Sequence, residues 1–217
     1  KSFPKLGLYL VKYDKEKCDM TDPDVMKCRG IIMSMDNNNV VCYPPEKSLS
    51  IQRFLEIVDF NDNGWDKVVI QDFIDGTMIN VFYFKDQWIL STRSCIGGNN
   101  RWLSLRSFKD LFTESSGNID FENLNKECCY TFVLRHNDNR IVKEYTSSGI
   151  SLVCVRHIQT NDTEQVITNL DINVIHKEMV SKGVKVDVPK VFMFASYEDA
   201  FNSVSSSNYQ EQGYVLN

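Results

Sequence analysis

The stretch QDFIDGT, residues 71–77, joins two runs of sequence that have strand character. The run that leads into it, WDKVVIQDF (65–73), and the run that follows, TMINVFYF (77–84), are rich in β-branched and aromatic residues. Asp75 and Gly76 between them are typical of a turn, because aspartate bonds to nearby backbone and glycine tolerates unusual backbone angles. The stretch therefore predicts two strands that meet at a turn.

Similar short runs lie on both sides of this stretch and are bounded by Asn, Asp, Gly or Pro. Hairpin turns are predicted at MDNNNV (35–40) and FKDQW (84–88). Because most strands arrive as hairpins, we expect largely antiparallel sheets. The predicted strands are LGLYLVKY (6–13), RGIIMSMD (29–36), NVVCYP (39–44), QWILSTR (87–93), CCYTFVL (128–134), RIVKEY (140–145), GISLVCVRHIQ (149–159) and QGYVLN (212–217).

Three segments have helical periodicity, so the predicted fold class is α+β with helices packed on the sheets. LDINVIHKEMVSKG (170–183) ends at Gly183, a plausible C-cap, and SYEDAFNSV (196–204) begins at Ser196, a plausible N-cap. The third segment is RWLSLRSFKDLF (101–112). Its spacing of about 3.6 predicts a core-facing stripe, made of Trp102, Leu105, Phe108, Leu111 and Phe112.

The same region allows another interpretation, in which its arginines and aromatic residues hold nucleic acid. Basic residues interleaved with aromatic ones suit phosphates and bases. The candidates are Arg93, Arg101 and Arg106, with Trp102 and Phe108. The helical spacing favours the core-facing interpretation.

Composition limits the classes of function. The chain has 217 residues, 42% of them hydrophobic and 24% charged, enough for one large domain or two small ones. A net charge of −5 argues against binding of nucleic acid by bulk electrostatics, although a local basic groove is compatible with it. No apolar run approaches the roughly 20 residues of a membrane span. We therefore expect no membrane association, and a cytoplasmic or otherwise reducing compartment.

The cysteines and histidines do not indicate a metal site or a disulfide framework. The seven cysteines are odd in number and form no CxxC pair. Cys128 and Cys129 begin an apolar run, which is typical of buried thiols on a strand. His136, His157 and His176 show no spacing typical of metal ligands.

Five ordered blocks of the sequence resemble the adenylyltransferase domain of the T-even phage type RNA ligases. They are PDVMKCRGIIMSMD (23–36), PPEKSLSIQRF (44–54), FIDGTMINVFYFKDQWILSTRS (73–94), TFVLRHNDNRIVKEY (131–145) and QGYV (212–215). The resemblance runs nearly end to end. It implies a single nucleotidyltransferase (ATP-grasp-like) domain over residues 1–217, ending before the family's final KxK motif, with a further C-terminal domain beyond it as one option.

The chemistry of that family begins at a KxDG motif, whose lysine attacks the α-phosphorus of ATP. AMP then passes to an RNA 5′-phosphate and is displaced by a 3′-hydroxyl. By this resemblance Phe73 stands in place of the lysine, and a phenyl ring has no lone pair with which to form the phosphoramidate. Thr131 and Gln212 stand in place of two glutamates, and neither supplies the carboxylate that magnesium prefers.

Other positions keep the family's pattern. The resemblance assigns nucleotide binding to Arg29, Lys47, Asp75, Gly76 and Arg93. Two of these residues also have simpler interpretations, since Asp75 could serve only turn geometry and Arg29 only a surface ion pair. Lys47 is the candidate for a substitute nucleophile.

These observations lead to a first hypothesis and two alternatives. The first is a catalytically inactive RNA-ligase-like domain that acts as a binding or structural module, with weak nucleotide or RNA-end binding and a protein partner or larger assembly. In it, Phe73 stacks on a base or fills the emptied pocket. The second is an active ATP-dependent RNA ligase or adenylyltransferase that uses ATP, magnesium and Lys47. The third is a cysteine-dependent hydrolase.

The abundance of Asn, Ile, Lys and Asp is typical of an AT-rich genome. Together with the phage-type resemblance it indicates a large DNA virus or phage. The protein would then act in the host cytoplasm or in the virion.

Overall fold

The computed structural model of the protein describes residues 1–58, 64–102, 104–117, 119–161, 164–206 and 208–217. Within these ranges it confirms the predicted α+β fold with antiparallel sheets. The strands are β1 (Ser2–Phe3), β2 (Leu8–Lys12), β3 (Arg29–Ser34), β4 (Val40–Cys42), β5 (Ile70–Asp72), β6 (Thr77–Phe84), β7 (Gln87–Ser91), β8 (Cys128–Arg135), β9 (Gly149–Thr160), β10 (Gln165–Asn169), β11 (Val191–Phe192) and β12 (Tyr214–Leu216). The helices are α1 (Pro23–Lys27), α2 (Ile51–Ile57), α3 (Phe108–Ser115), α4 (Ile172–Ser181) and α5 (Tyr197–Ser205).

A five-stranded sheet with the order β10-β9-β8-β6-β7 carries apolar side chains on both faces. Successive side chains of a strand point to opposite faces. On β6, Ile79 and Val81 therefore join one core cluster, while Phe82 joins the other. The sheet is the layer that the rest of the chain covers from two sides.

One face is covered by the four-stranded sheet β1-β2-β3-β4. The two sheets bury a shared apolar layer, as expected for face-to-face sheet packing. Its members are Leu8, Leu10, Ile32, Cys42, Phe82, Ile89, Ile96 and Cys129. The hairpins that lead into and out of these strands are confirmed, with left-handed backbone at Asn38, Lys85 and Asp86.

The other face is covered by α3 and α4, and here the predicted helix over 101–112 is wrong at its start. The helix begins at Phe108, because Ser107 and Asp110 form a capping box in which each side chain accepts the other's backbone N–H at 3.2 Å. Phe108, Leu111 and Phe112 face the core as predicted. Trp102 and Leu105 do not, since they are 60% and 88% exposed in the irregular segment before the helix.

The two late helices are confirmed. Gly183 has φ of 81° just after α4, and Ser196 caps α5 by accepting the N–H of Asp199 at 3.1 Å. The short helices α1 and α2 were not predicted, although Asp22 and Ser50 cap them. No helix in the ranges described combines the length and apolar character needed to cross a membrane.

A small sheet, β11-β5-β12, contains the first two residues of the QDFIDGT stretch, Gln71 and Asp72. The strand predicted over 65–73 is shorter than expected, because residues 64–67 form a 3₁₀ turn and only Ile70–Asp72 pair. The last predicted strand is confirmed by β12, which pairs with β5. Phe73 follows directly on β5.

The strand predicted at RIVKEY (140–145) is wrong. This segment is irregular, and its backbone N–H groups at Val142 and Lys143 donate to the carboxylate of Asp75 at 2.8 Å each. These backbone N–H groups therefore bond to a side chain, whereas the β-branched pattern predicts that they bond to a neighbouring strand.

Candidate phosphate-binding site

The position that the resemblance assigns to the lysine nucleophile lies at the end of β5. The N–H of Phe73 donates to the carbonyl of Gly213 at 2.9 Å, so Phe73 and the neighbouring Gln212 are brought together. The amide of Gln212 donates to the carbonyl of Tyr209. The ring of Phe73 is 49% exposed, and a phenyl ring offers no electron pair to phosphorus.

Phe73 lines an open cavity of about 490 Å³. Phe73 is half exposed beside this open volume, so whether its ring fills the emptied pocket or stacks on a base stays a prediction. Lys143 and Lys190 line it too, and sequence analysis did not single out either residue. Both lysines are far from Phe73 in sequence, so only the folding of the chain brings them to the same cavity.

The cavity also contains cationic and aromatic groups that already have partners. Arg135 forms an ion pair with Asp187, and its guanidinium lies 5.5 Å from the ring centre of Tyr145. The Tyr145 hydroxyl donates to the carbonyl of Asp75 at 2.7 Å. Burial raises the pKa of Tyr145 to about 12, so this hydroxyl keeps its proton at neutral pH. Arg135 and Tyr145 thus line the cavity with polar groups that are already bonded within the protein.

Asp75 and Gly76 make contacts that fix the turn after β5 against the rest of the protein. The Asp75 side chain is buried and accepts the N–H groups of Val142 and Lys143, so it anchors a distant loop and does more than shape a turn. Gly76 lies against β8, where an added Cβ would collide with the Leu134 carbonyl and lie 2.7 Å from Val133. Glycine is required here for close approach.

Thr131 lies in the core and is fully buried. Its hydroxyl donates to Asn80 Oδ1 at 3.0 Å, and Asn80 Nδ2 donates to Ser91 Oγ at 3.3 Å. The Thr131 hydroxyl therefore donates its proton to a side chain of the core and not to a ribose. The structure therefore brings Phe73 and Gln212 together, whereas Thr131 lines neither of the cavities described here.

Arg29 and Arg93 are brought together by a glycine. Gly30 has φ of 102°, and a Cβ there would lie 3.0 Å from Arg93 Cα, so glycine is needed for both conformation and space. Burial lowers the pKa of Arg29; the neighbouring Tyr13 opposes this shift, and the positive charge of Arg93 adds to it. Arg29 Nη1 donates to the carbonyl of Glu46 at 3.3 Å.

The surface ion pair considered for Arg29 is not formed within the described residues. The arginine ion pairs found there involve other residues, and neither Arg29 nor Arg93 contacts a carboxylate. Like charges repel, and the positive charge of Arg93 contributes to the lowered pKa of Arg29.

Arg93 also lines a second cavity, of about 640 Å³, beside β2. Lys1, Lys12 and Lys15 line it with Arg93, and Asp14 is the acidic residue among the lining groups. Lysine and arginine side chains thus converge on one surface of a protein whose net charge is −5. Cationic residues outnumber acidic ones in this lining, which favours ligands of negative charge. We call Arg29, Arg93, Lys12 and Lys15 the cationic site.

Lys47 lies outside both cavities. Its ammonium donates to the carbonyl of Ser48 at 3.3 Å, and its N–H donates to Met26 at 3.1 Å. It follows Glu46, which contacts Arg29, so it is near the cationic site along the chain. It is not placed beside Phe73.

Neutral residues stand at the two positions where the resemblance implies magnesium-binding carboxylates. Thr131 and Gln212 are neutral at the two expected carboxylate positions. Across the part of the chain that the structure describes, no three His, Cys, Asp or Glu side chains are grouped to hold a metal. Burial also raises the pKa of Cys128 and Cys154 to about 11, which keeps these thiols protonated and weakly nucleophilic.

No protein-family model matches the chain. Over 232 aligned residues it is 22% identical to a putative bifunctional polynucleotide kinase/RNA ligase of Autographa californica nuclear polyhedrosis virus. That match covers 100% of this chain, which spans 31% of the relative's length. An immediate-early protein ICP-46 homolog of Invertebrate iridescent virus 3 is 35% identical over 72 residues, 30% of this chain and 16% of the relative.

These matches define the class at a coarse level. The chain is a distant relative of a viral protein named as a polynucleotide kinase and RNA ligase, which supports the RNA-ligase-like resemblance. Both relatives are viral, in agreement with the predicted origin.

Proposed function

We propose that this chain is an RNA-ligase-like domain that has lost covalent nucleotidyl transfer and binds a phosphate-bearing ligand, an RNA 5′ end or a nucleotide. It would act as a binding or structural module, together with a protein partner or a larger assembly. The observation that carries the proposal is Phe73, a half-exposed phenylalanine at the position that the resemblance assigns to the attacking lysine.

The second and third changed positions support the same conclusion. Thr131 is buried and its hydroxyl bonds to Asn80, so the chain uses this position for packing. Gln212 keeps an amide where the resemblance implies a carboxylate. Without two carboxylates, a hard divalent cation loses its preferred ligands.

The cationic site supports retention of binding. Arg29 and Arg93 lie together without a carboxylate partner within the described residues, and Lys12 and Lys15 extend the positive surface from Arg93. Guanidinium groups bind phosphate with charge-assisted hydrogen bonds that are stronger than neutral ones. The terminal phosphate of an RNA strand, or the phosphates of a nucleotide, fits this chemistry.

Binding of short oligoribonucleotides that differ only at the 5′ end tests the proposal. We expect the 5′-phosphorylated strand to bind more tightly than the 5′-hydroxyl strand, and Arg93→Ala to reduce that preference about tenfold, the worth of one charge-assisted contact. Arg53→Ala is the matched control, because Arg53 is an exposed arginine paired with Glu56 on α2. Equal binding of the two strands by the unmodified protein would contradict the role of the cationic site.

Restoring the missing amine tests the inactive state. We expect Phe73→Lys alone to remain unable to form an AMP adduct, because Thr131 and Gln212 still lack carboxylates. Robust adenylylation of this variant would show that those two positions matter less than proposed.

One observation keeps an active adenylyltransferase as a second candidate. Lys143 and Lys190 line the cavity beside Phe73, so either of them is better placed than Lys47 to act as a displaced nucleophile. Peptide mapping after incubation with labelled ATP and magnesium distinguishes the candidates. A labelled Lys143 or Lys190 peptide would support this second function, and an unlabelled chain supports the first.

A further inference from the structure

The irregular segment that precedes α3 exposes a large aromatic side chain. Trp102 is 60% exposed and Leu105 is 88% exposed, although periodicity predicted both to be buried in a helix. A single exposed apolar side chain is common on protein surfaces, so the exposure of Trp102 gains meaning only from the charged residues around it.

The backbone on either side of Trp102 is held by hydrogen bonds. The N–H of Phe108 donates to the carbonyl of Asn100 at 3.1 Å, and the N–H of Lys109 donates to the carbonyl of Gly98 at 2.9 Å. Before this segment, the N–H of Gly97 donates to the carbonyl of Leu90 at 2.7 Å. These bonds fix the backbone just before Arg101 and at the start of α3, so they set where the exposed residues leave and rejoin the fold.

Two arginines lie on backbone close to Trp102. Thr92 Oγ1 donates to Asn100 Oδ1 at 3.4 Å, and Arg93 and Arg101 are the residues that directly follow this pair. Both arginine side chains are exposed. Among the residues that the structure describes, neither side chain has an ion pair with a carboxylate.

Arg106, the third arginine of this region, is different. Its guanidinium forms ion pairs with Glu114 and with Asp138, the latter at 3.3 Å. These carboxylates neutralise Arg106 and leave Arg93 and Arg101 as the cations available to a ligand. The contrast identifies which of the sequence-predicted arginines can contact phosphate.

We propose that Arg101 and Trp102 form a stacking platform for single-stranded RNA, in which the indole stacks on one unpaired base and Arg101 and Arg93 contact consecutive phosphates. This inference rests on the proposed binding of an RNA end, and extends the cationic site from its terminal phosphate to the strand that follows. Base stacking on an aromatic side chain combined with nearby cations is a general way to bind single strands without sequence readout.

The ligand is a single strand because the face of a base must be open to contact the indole. Paired bases in a duplex are stacked on each other and present only their edges. Charge complementarity at this surface is local, since the net charge of the chain is −5. We therefore expect binding of modest affinity that weakens as salt rises.

Fluorescence anisotropy of a labelled 5′-hydroxyl oligoribonucleotide on the full chain tests the platform without the terminal phosphate. We expect Trp102→Ala to weaken binding about tenfold, within the range measured for stacked bases, and Trp102→Phe to retain most of the affinity. Phe201→Ala is the matched control, because Phe201 is a 57% exposed aromatic residue on α5 near Glu198 and Asp199. This control should bind like the unmodified protein.

Salt dependence and strand state provide independent readouts. We expect Arg101→Ala to reduce the slope of log K against log salt by about 0.7, the value for one phosphate contact to a single strand. Arg53→Ala should leave the slope unchanged. A duplex of the same sequence should bind more weakly than the strand.

The outcomes separate the platform from the proposed function. Unchanged strand binding by Trp102→Ala, with a preserved preference for the 5′-phosphate, overturns the platform and leaves the proposed function intact. Trp102-dependent strand binding without any 5′-phosphate preference supports the platform and contradicts the role of the cationic site. Absence of strand binding by the unmodified protein, or equally tight duplex binding, also overturns the platform.

Discussion

The turn after β5 and the cationic site both keep residues of the ligase-like pattern, but the fold uses them differently. In the turn, Asp75 and Gly76 are occupied by contacts within the protein: a carboxylate bound to two N–H groups, and a glycine against β8. In the cationic site, Arg29 and Arg93 are near each other and have no carboxylate partner within the described residues. Contacts within the protein account for the first pair of residues, whereas the second pair is available for the phosphate-bearing ligand that we propose.

Phe73 and Asp75, two residues apart in sequence, differ in the same way. Asp75 is buried and bonded, while Phe73 is half exposed on the wall of a cavity. We therefore expect the fold to tolerate changes at position 73 better than changes at position 75.

Removal of the Asp75 carboxylate should have the largest effect on stability. In Asp75→Ala the N–H groups of Val142 and Lys143 lose a charged acceptor, and we expect the free energy of unfolding to fall by about 3 kcal/mol. Both N–H groups contact the same oxygen, so Asp75→Asn, which keeps a carbonyl there, should lose less. Urea denaturation measures both. Equal stability of Asp75→Ala and the unmodified protein would mean that the anchored loop does not depend on Asp75.

Gly76→Ala should have the next largest effect. Its Cβ would collide with the Leu134 carbonyl and crowd Val133, so we expect a loss of about 2 kcal/mol in the free energy of unfolding. Gly117→Ala provides the control: Gly117 has φ of 65° but no atom within 4 Å of an added Cβ, so only backbone strain of about 1 kcal/mol is expected. A larger loss at Gly117 than at Gly76 would contradict the close approach of β8.

Phe73→Ala should have a smaller effect. Because the ring is half exposed, we expect the free energy of unfolding to change by less than about 1 kcal/mol. A buried phenylalanine that filled a pocket would lose about 3–5 kcal/mol on the same truncation. Denaturation of this variant therefore distinguishes a ring on the cavity wall from a ring that plugs the cavity.

Arg93→Ala should have the smallest effect on stability and a clear effect on binding. Its exposed side chain forms no ion pair within the described residues, so the change in the free energy of unfolding should stay within about 0.5 kcal/mol. The preference for a 5′-phosphorylated strand should fall in the same variant. A variant that lost stability and kept that preference would mean that Arg93 serves the fold, as Asp75 does.

Much of the fold could be predicted from the sequence, because strands and hairpins depend on local patterns. The start of α3 was wrong by seven residues relative to Arg101, since the hydrophobic spacing extends through Trp102 while the capping box at Ser107 and Asp110 decides where the helix begins. RIVKEY was wrong because its β-branched pattern does not reveal that a distant carboxylate, Asp75, binds its backbone.

The candidate site was less predictable, because tertiary contacts determine it. Arg29 and Arg93 could be identified by resemblance, but their closeness depends on Gly30 against Arg93. Lys143 and Lys190 had no sequence signal that would place them beside Phe73. The partnership of Thr131 with Asn80 follows from the register of β6 and β8, which is fixed by the fold as a whole.

Intact mass of the purified chain after incubation with ATP and magnesium tests the central claim most directly. We predict an unchanged mass, because Phe73 has no amine at the position that the resemblance assigns to the attacking lysine, and Thr131 and Gln212 have no carboxylate. A mass increase of one adenylyl group on the unmodified protein would contradict the proposed loss of covalent chemistry.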